Sequence, residues 1–201
     1  MATTNRNVTA YGRLSYPNLF QPRKVTEESD KEQFSATLLI PKTDTATIQA
    51  IQAAIQAAVE DGVNSGKFKV AIDPAQTAYP PLRDGDGTNR NGEPRGAEFA
   101  DHWFIAAKAP ASRKPFVVDG QLQPVIDPAE IYAGCYVNMA IQFFPYEHKT
   151  GGKGISASLV GVQKVKDGEP LGGGIADASE VFSALGSSQA TQPAVSPNLG
   201  F

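Results

Sequence analysis

One cysteine, two histidines and no long apolar run set the first limits on this 201-residue chain. Cys135 alone excludes an internal disulfide and any cysteine-based metal cluster; its place in a strand-like run suits a small buried side chain. His102 and His148 are too few for a three-histidine metal site, and neither stands in a helical HExxH pair. The sequence contains no GxSxG, Walker A or GxGxxG pattern, and GGKG at residues 151–154 lacks the spacing and the Ser/Thr of a phosphate loop. No stretch approaches the roughly 20 apolar residues of a membrane span, and MATTNRNVTA has no leader-like apolar core, so a cytoplasmic protein without membrane contact is expected. A catalytic site needs a base, a nucleophile and a group to orient them; the thin inventory predicts no enzyme, no metal and no cofactor.

Basic charge is also scarce on average but clustered. The net charge is −3, yet residues 167–201 hold four acids (Asp167, Glu169, Asp177, Glu180) and no Lys or Arg, leaving 18 bases against 17 acids in residues 1–166. The first 24 residues carry Arg6, Arg13, Arg23 and Lys24 without an acid. With 41% hydrophobic residues, the chain has enough apolar surface for one ordinary core.

What is present is organised around residues 131–163, IYAGCYVNMAIQFFPYEHKTGGKGISASLVGVQ, which read as a long β-hairpin. Tyr136, Asn138, Ala140, Gln142 and Phe144 alternate with Val137, Met139, Ile141 and Phe143, giving one aromatic and amide face and one apolar face. In the return strand Ile155, Ala157 and Leu159 alternate with Ser156, Ser158 and Val160. The connection sets His148, Lys149 and Lys153 among glycines, a cationic tip beside rings that suits a polyanion with flat bases.

Before this hairpin, NRNVTAYGRL alternates Val8, Ala10 and Leu14 with Thr9, Tyr11 and Arg13, a first strand; YPNLFQPRKV, with two prolines, reads as an irregular turn. KEQFSATLLIP predicts a second strand antiparallel to the first. Asp44–Asp61 predicts the single helix, N-capped by Asp44, with Ile48, Ile51, Ile55 and Val59 facing the sheet and Gly62 as its stop. Residues 73–96 are loop-like, and DGDGTNRNGE resembles part of a calcium loop but lacks the twelfth-position glutamate, so turn chemistry is the better account. ADHWFIAAKAP gives another strand, in which Trp103 and Phe104 must face opposite sides, and SRKPFVVDG a basic turn into a short edge strand. Beyond Lys166 periodicity fades, predicting a folded domain over 1–183 and a flexible tail over 184–201. Six or seven strands with one helix after the second strand and long loops fit an OB-fold-like Greek-key β-barrel, a mainly β class; a β-sandwich competes.

Rings beside cations then mark the candidate nucleic-acid contacts: Tyr11 with Arg13, Trp103 with Lys108, Phe116 with Arg113 and Lys114, and Tyr136 and Tyr146 with Lys149 and Lys153. Each stacked base is worth roughly 1 to 3 kcal/mol, and phosphate contacts add a salt-sensitive term. Trp and Phe in strands are more often core, and alternation cannot say which face of the Trp103 strand is exposed.

The strings NVTAYGRLSYPNLFQP, SATLLIPKTD, YPPLRDGD, WFIAAKAPASRKPFVVD and IYAGCYVNMAIQFFPYEHKTGGKGISASLVGVQKVKDGEPLGGG, followed by Phe182, resemble a family of bacteriophage single-stranded DNA-binding proteins over most of residues 7–183. The resemblance implies an OB fold, sequence-independent single-strand binding in phage replication, recombination or repair, the cytoplasm of an infected bacterium as its location, and phage or host replication and recombination proteins as partners. RNA as a second ligand and a homodimer stay open. The chain ends NLGF, so Phe201 matches the terminal aromatic of many single-strand binders, but the nearest acid is Glu180, and recruitment through an acidic tip is not expected to be conventional. The rival reading is a virion structural or assembly protein that uses a β-barrel for protein contacts; a nuclease is a second rival.

Overall fold

A computed structural model describes residues 5–24, 31–89, 91–148 and 152–171. Seven strands and one helix follow in order: β1 (Asn7–Lys24), β2 (Glu32–Pro41), α1 (Thr45–Asn64), β3 (Arg83–Asp84), β4 (His102–Pro110), β5 (Phe116–Val118), β6 (Tyr136–His148) and β7 (Gly152–Lys166). Antiparallel pairing runs β4-β2-β1-β6-β7, and a parallel contact between β4 and β7 at Lys108 and Ser158 closes five strands into a barrel. β3 and β5 are edge additions on β4 and β7. This is the OB-fold-like barrel expected of the strand count, and the hairpin of residues 131–163 is its longest pairing.

Alternation decides what fills the barrel. Val137, Met139, Ile141 and Phe143 of β6 are all at or near 0% exposure, against Leu14, Leu38, Ile105 and Leu159 from the other strands. A bulge near Val160 shifts the phase of β7 by one residue, which turns Val160 outward and keeps Val162 in the core. Cys135 is fully buried, and burial pushes its thiol up, as an inert core cysteine requires.

α1 plugs the barrel against β6 and β1 with Ile48, Ile51, Ile55 and Val59. Asp44 caps it by accepting from the Thr47 backbone N–H at 3.1 Å. Gly62 does not stop it. The helix runs to Asn64, and the missing Cβ at 62 leaves the space taken by the buried Phe68 ring.

β1 also outruns its expected end. YPNLFQPRK continues the strand to Lys24 instead of forming a turn, because Pro17 and Pro22 fall in the two intervals where the β1–β2 register slips and no ladder N–H is needed from them. The slip leaves Tyr16 at φ 46°, a left-handed backbone that a bulky residue seldom adopts. In the 73–96 segment, the Lys42 ammonium stands 2.6 Å from Asp84 and 2.5 Å from Asp86, so a lysine of this chain sits between those two carboxylates. The domain boundary at 183/184 and the tail lie outside the described residues. No helix among the described residues is long and apolar enough to cross a membrane.

Candidate nucleic-acid interface

The β4–β7 contact is a single residue pair, so beyond it the two strands splay and leave a seam. A groove of about 780 Å³ occupies this seam. Tyr79 and Arg83 wall it from the loop side, Lys108 stands on β4, and Phe144, Tyr146 and His148 rise from β6. Even residues of β6 face outward, which puts Phe144, 37% exposed, and Tyr146 on the groove while Phe143 enters the core. Gly154 faces Tyr146 across the hairpin, and a Cβ there would lie 2.5 Å from the Tyr146 hydroxyl; only glycine lets the ring lie flat over β7.

Electrostatics follow from the lining. No carboxylate lines the groove among the described residues. The Arg83 guanidinium stacks 4.5 Å from the centre of Phe104, and Arg95 stacks 4.7 Å from the same ring, so an aromatic ring holds the cationic wall in place. Lys153 pairs with Glu147 at 3.4 Å on the face of the hairpin opposite Tyr146, where a solvated ion pair is weak. Tyr146 tilts against His148 with ring centres 5.5 Å apart; burial first, then the neighbouring Tyr79, raises its phenol further above its ordinary value, and it stays neutral.

The expected contact residues do not share one place. Lys108 and Tyr146 meet at the seam groove, while Lys153 stands with Glu147 on the other face of the hairpin. Arg113, Lys114 and Phe116 line a second groove beyond the Lys108–Ser158 bridge. Tyr11 and Tyr136 stack on neighbouring strands at 5.9 Å and 14°, with the Lys166 ammonium 4.6 Å from the Tyr136 ring centre. Beside them Arg13 donates to the carbonyls of Gly134 at 3.2 Å and Glu169 at 2.5 Å, which ties residues 167–171 to the barrel. Trp103 packs half-buried against the main core with the Lys42 ammonium 5.7 Å from its ring centre, and Phe104 is buried on the other face beside Leu39 and Phe99; neither ring is exposed. Lys149 lies outside the described residues.

A family model described as Enterobacter phage Enc34, ssDNA-binding protein, matches residues 6–192. The chain belongs to that family. A curated relative, the putative protein p50 of Acyrthosiphon pisum secondary endosymbiont phage 1, is 31% identical over 175 residues, 84% of this chain and 88% of the relative. Among solved structures, the single-stranded DNA-binding protein of bacteriophage Enc34 in complex with ssDNA matches with a TM-score of 0.65 at 30% identity, covering 83% of this chain and 88% of that one. The gp2.5 single-stranded DNA-binding protein encoded by bacteriophage T7 matches with a TM-score of 0.55, covering 87% and 99%, and at 16% identity that likeness speaks to the fold alone.

In this member of the Enc34 family, His148 of the expected cationic tip lines the seam groove, and Tyr79, Arg83 and Phe144 join it although none of the three was an expected contact. Phe144 carried a readable signal, the same outward parity as Tyr136 and Gln142. Tyr79 and Arg83 carried none, because only the packing of the 73–84 segment brings them to the seam.

Proposed function

We propose that this protein binds single-stranded DNA in the seam groove without sequence preference, coating strands exposed during phage DNA replication, recombination or repair in the host cytoplasm. The observation that carries the reading is the groove: the exposed rings of Tyr79 and Phe144 and the half-buried ring of Tyr146 beside Arg83 and Lys108, with no acid in the lining, in a family whose Enc34 member is solved with ssDNA. Rings stack on any base and cations meet any phosphate, so this chemistry selects single strands over sequences and calls for no reaction on the nucleic acid.

Titration with labelled oligothymidine tests it. Two cations in the groove, Arg83 and Lys108, predict a slope of log affinity against log salt of about −1.4, about −0.7 for each phosphate met. Raising salt from about 50 to about 200 mM then weakens binding about sevenfold. Tyr146→Ala weakens it about tenfold through the lost stack. Binding that ignores both salt and Tyr146→Ala would reject the groove, and no binding at low salt would return the virion assembly reading.

A further inference from the structure

The cationic surface does not end at the bridge that closes the barrel. Ser158, the partner of Lys108 in that bridge, is only 3% exposed, and its hydroxyl accepts from the Arg113 guanidinium. Lys108 therefore borders the seam groove and Arg113 borders a second groove of about 670 Å³, with one buried serine between them. Asn5, Asn7, Thr9, Gln142, Lys114 and Phe116 stand around an apolar floor that includes Val8 and Val160, again without a carboxylate.

Phe116 is the unusual member. It starts β5, an edge strand that lies so close to β7 that a Cβ on its partner Gly161 would stand 3.0 Å from Phe116 Cβ. The close approach fixes the backbone while the ring stays 72% exposed, which makes it a platform and not a core residue. Lys114 stands 5.9 Å from the centre of the Phe20 ring, held beside the groove. Some cations of the surface are matched, Arg6 by Asp61, Lys42 by Asp84 and Asp86, Lys153 by Glu147 and Lys164 by Asp167. Arg113 and Lys114 have no carboxylate within ion-pair distance among the described residues.

We infer that the second groove is a second subsite for the same single strand, which leaves the seam, crosses Ser158 between Lys108 and Arg113, and stacks a base on Phe116. The inference rests on the seam-groove reading and extends it from one contact region to two. Two cations, one exposed ring and four amide or hydroxyl side chains over an apolar floor fit a nucleic-acid strand, whose bases stack while its phosphates meet the cations.

Oligothymidine of about 4 and about 12 nucleotides, near the two ends of the footprint of one OB fold, separates the two claims. Phe116→Ala leaves the short strand unaffected and weakens the long one about tenfold, the lower part of the range for one lost stack. Lys114→Ala lowers the salt slope by about 0.7 for the long strand alone. Tyr146→Ala weakens both lengths. If Phe116→Ala binds the long strand as tightly as the parent while Tyr146→Ala weakens both lengths, the second subsite falls and the seam groove stands; the second groove is then open to a protein partner. If Phe116→Ala weakens both lengths equally, the proposed order of contacts is wrong. If Tyr146→Ala changes neither length, the seam-groove reading fails first. The exposed position of Phe116 keeps the variant folded, and a thermal melt within a few degrees of the parent's checks this.

Discussion

Gly62 sits inside α1 with the Phe68 ring where its side chain would be: an added Cβ would lie 2.3 Å from that ring and 3.0 Å from Pro145 Cβ. In an open helix, Gly→Ala gains about 1 kcal/mol. Here Phe68 is 1% exposed and cannot retreat into solvent, so overpacking at about 1 to 3 kcal/mol wins. Gly62→Ala is expected to lower stability by about 1 kcal/mol, read as a lower urea midpoint at unchanged m-value, and a raised midpoint would contradict the packing. The same residue explains a misreading. Glycine after a helical stripe signals a stop, and only the long-range contact with Phe68 reveals that it marks a close approach instead. Arg13 has a structural bond the sequence did not show: beside Tyr11 it reads as a phosphate contact, and it also donates to the Gly134 and Glu169 carbonyls.

The segment from β3 to β4 is held by a clasp. Lys42, just past β2, bridges Asp84 and Asp86, and Asp86 also accepts from the Asp101 backbone N–H at 2.8 Å. The Lys42 ammonium holds both carboxyls below their ordinary range, and they in turn raise Lys42. A lowered carboxyl stabilises the folded state above its unfolded pKa, near 4, and the contribution is lost as pH falls through the lowered value. Hydrogen-exchange protection at Gly85, whose N–H meets the His102 carbonyl, and at Asp101 is therefore expected to fall below about pH 4. The decline should vanish in the Asp84→Asn, Asp86→Asn double variant; a parent whose protection is flat to pH 2 would show that the clasp carries no weight. The raised Lys42 adds the mirror case, a loss only above about pH 10.4. At this scale the elements with sustained alternation or helical spacing, β2, β6 and α1, were readable, as was β7 up to its bulge near Val160. β1 was not, since its two prolines look like a turn until the slipped register against β2 removes the need for their N–H groups.

Across the molecule, the barrel turns strand parity into inside and outside, and this bears on the single tryptophan. Trp103 lies on the core side of β4, so its emission is expected to stay nearly constant while the anisotropy of a labelled oligothymidine rises to saturation. Quenching that saturates together with the anisotropy would bring the ring to the interface. Local facts were legible along the chain: which side chains alternate, where the helix begins at Asp44, that residue 135 is a core cysteine, and that rings and cations recur together on a β scaffold. Those follow from spacing along the chain, which needs no partner strand. Tertiary structure decided which of these groups meet. Closing five strands through one Lys108–Ser158 pair opened the seam, brought Tyr79 and Arg83 to Tyr146, and set Arg113 and Phe116 in a second groove. It also set Arg13 against the Gly134 and Glu169 carbonyls and Trp103 against the main core. The physical reason is that strand register and barrel closure are contacts between residues far apart in sequence, and periodicity records a residue's face but not its neighbours across the sheet.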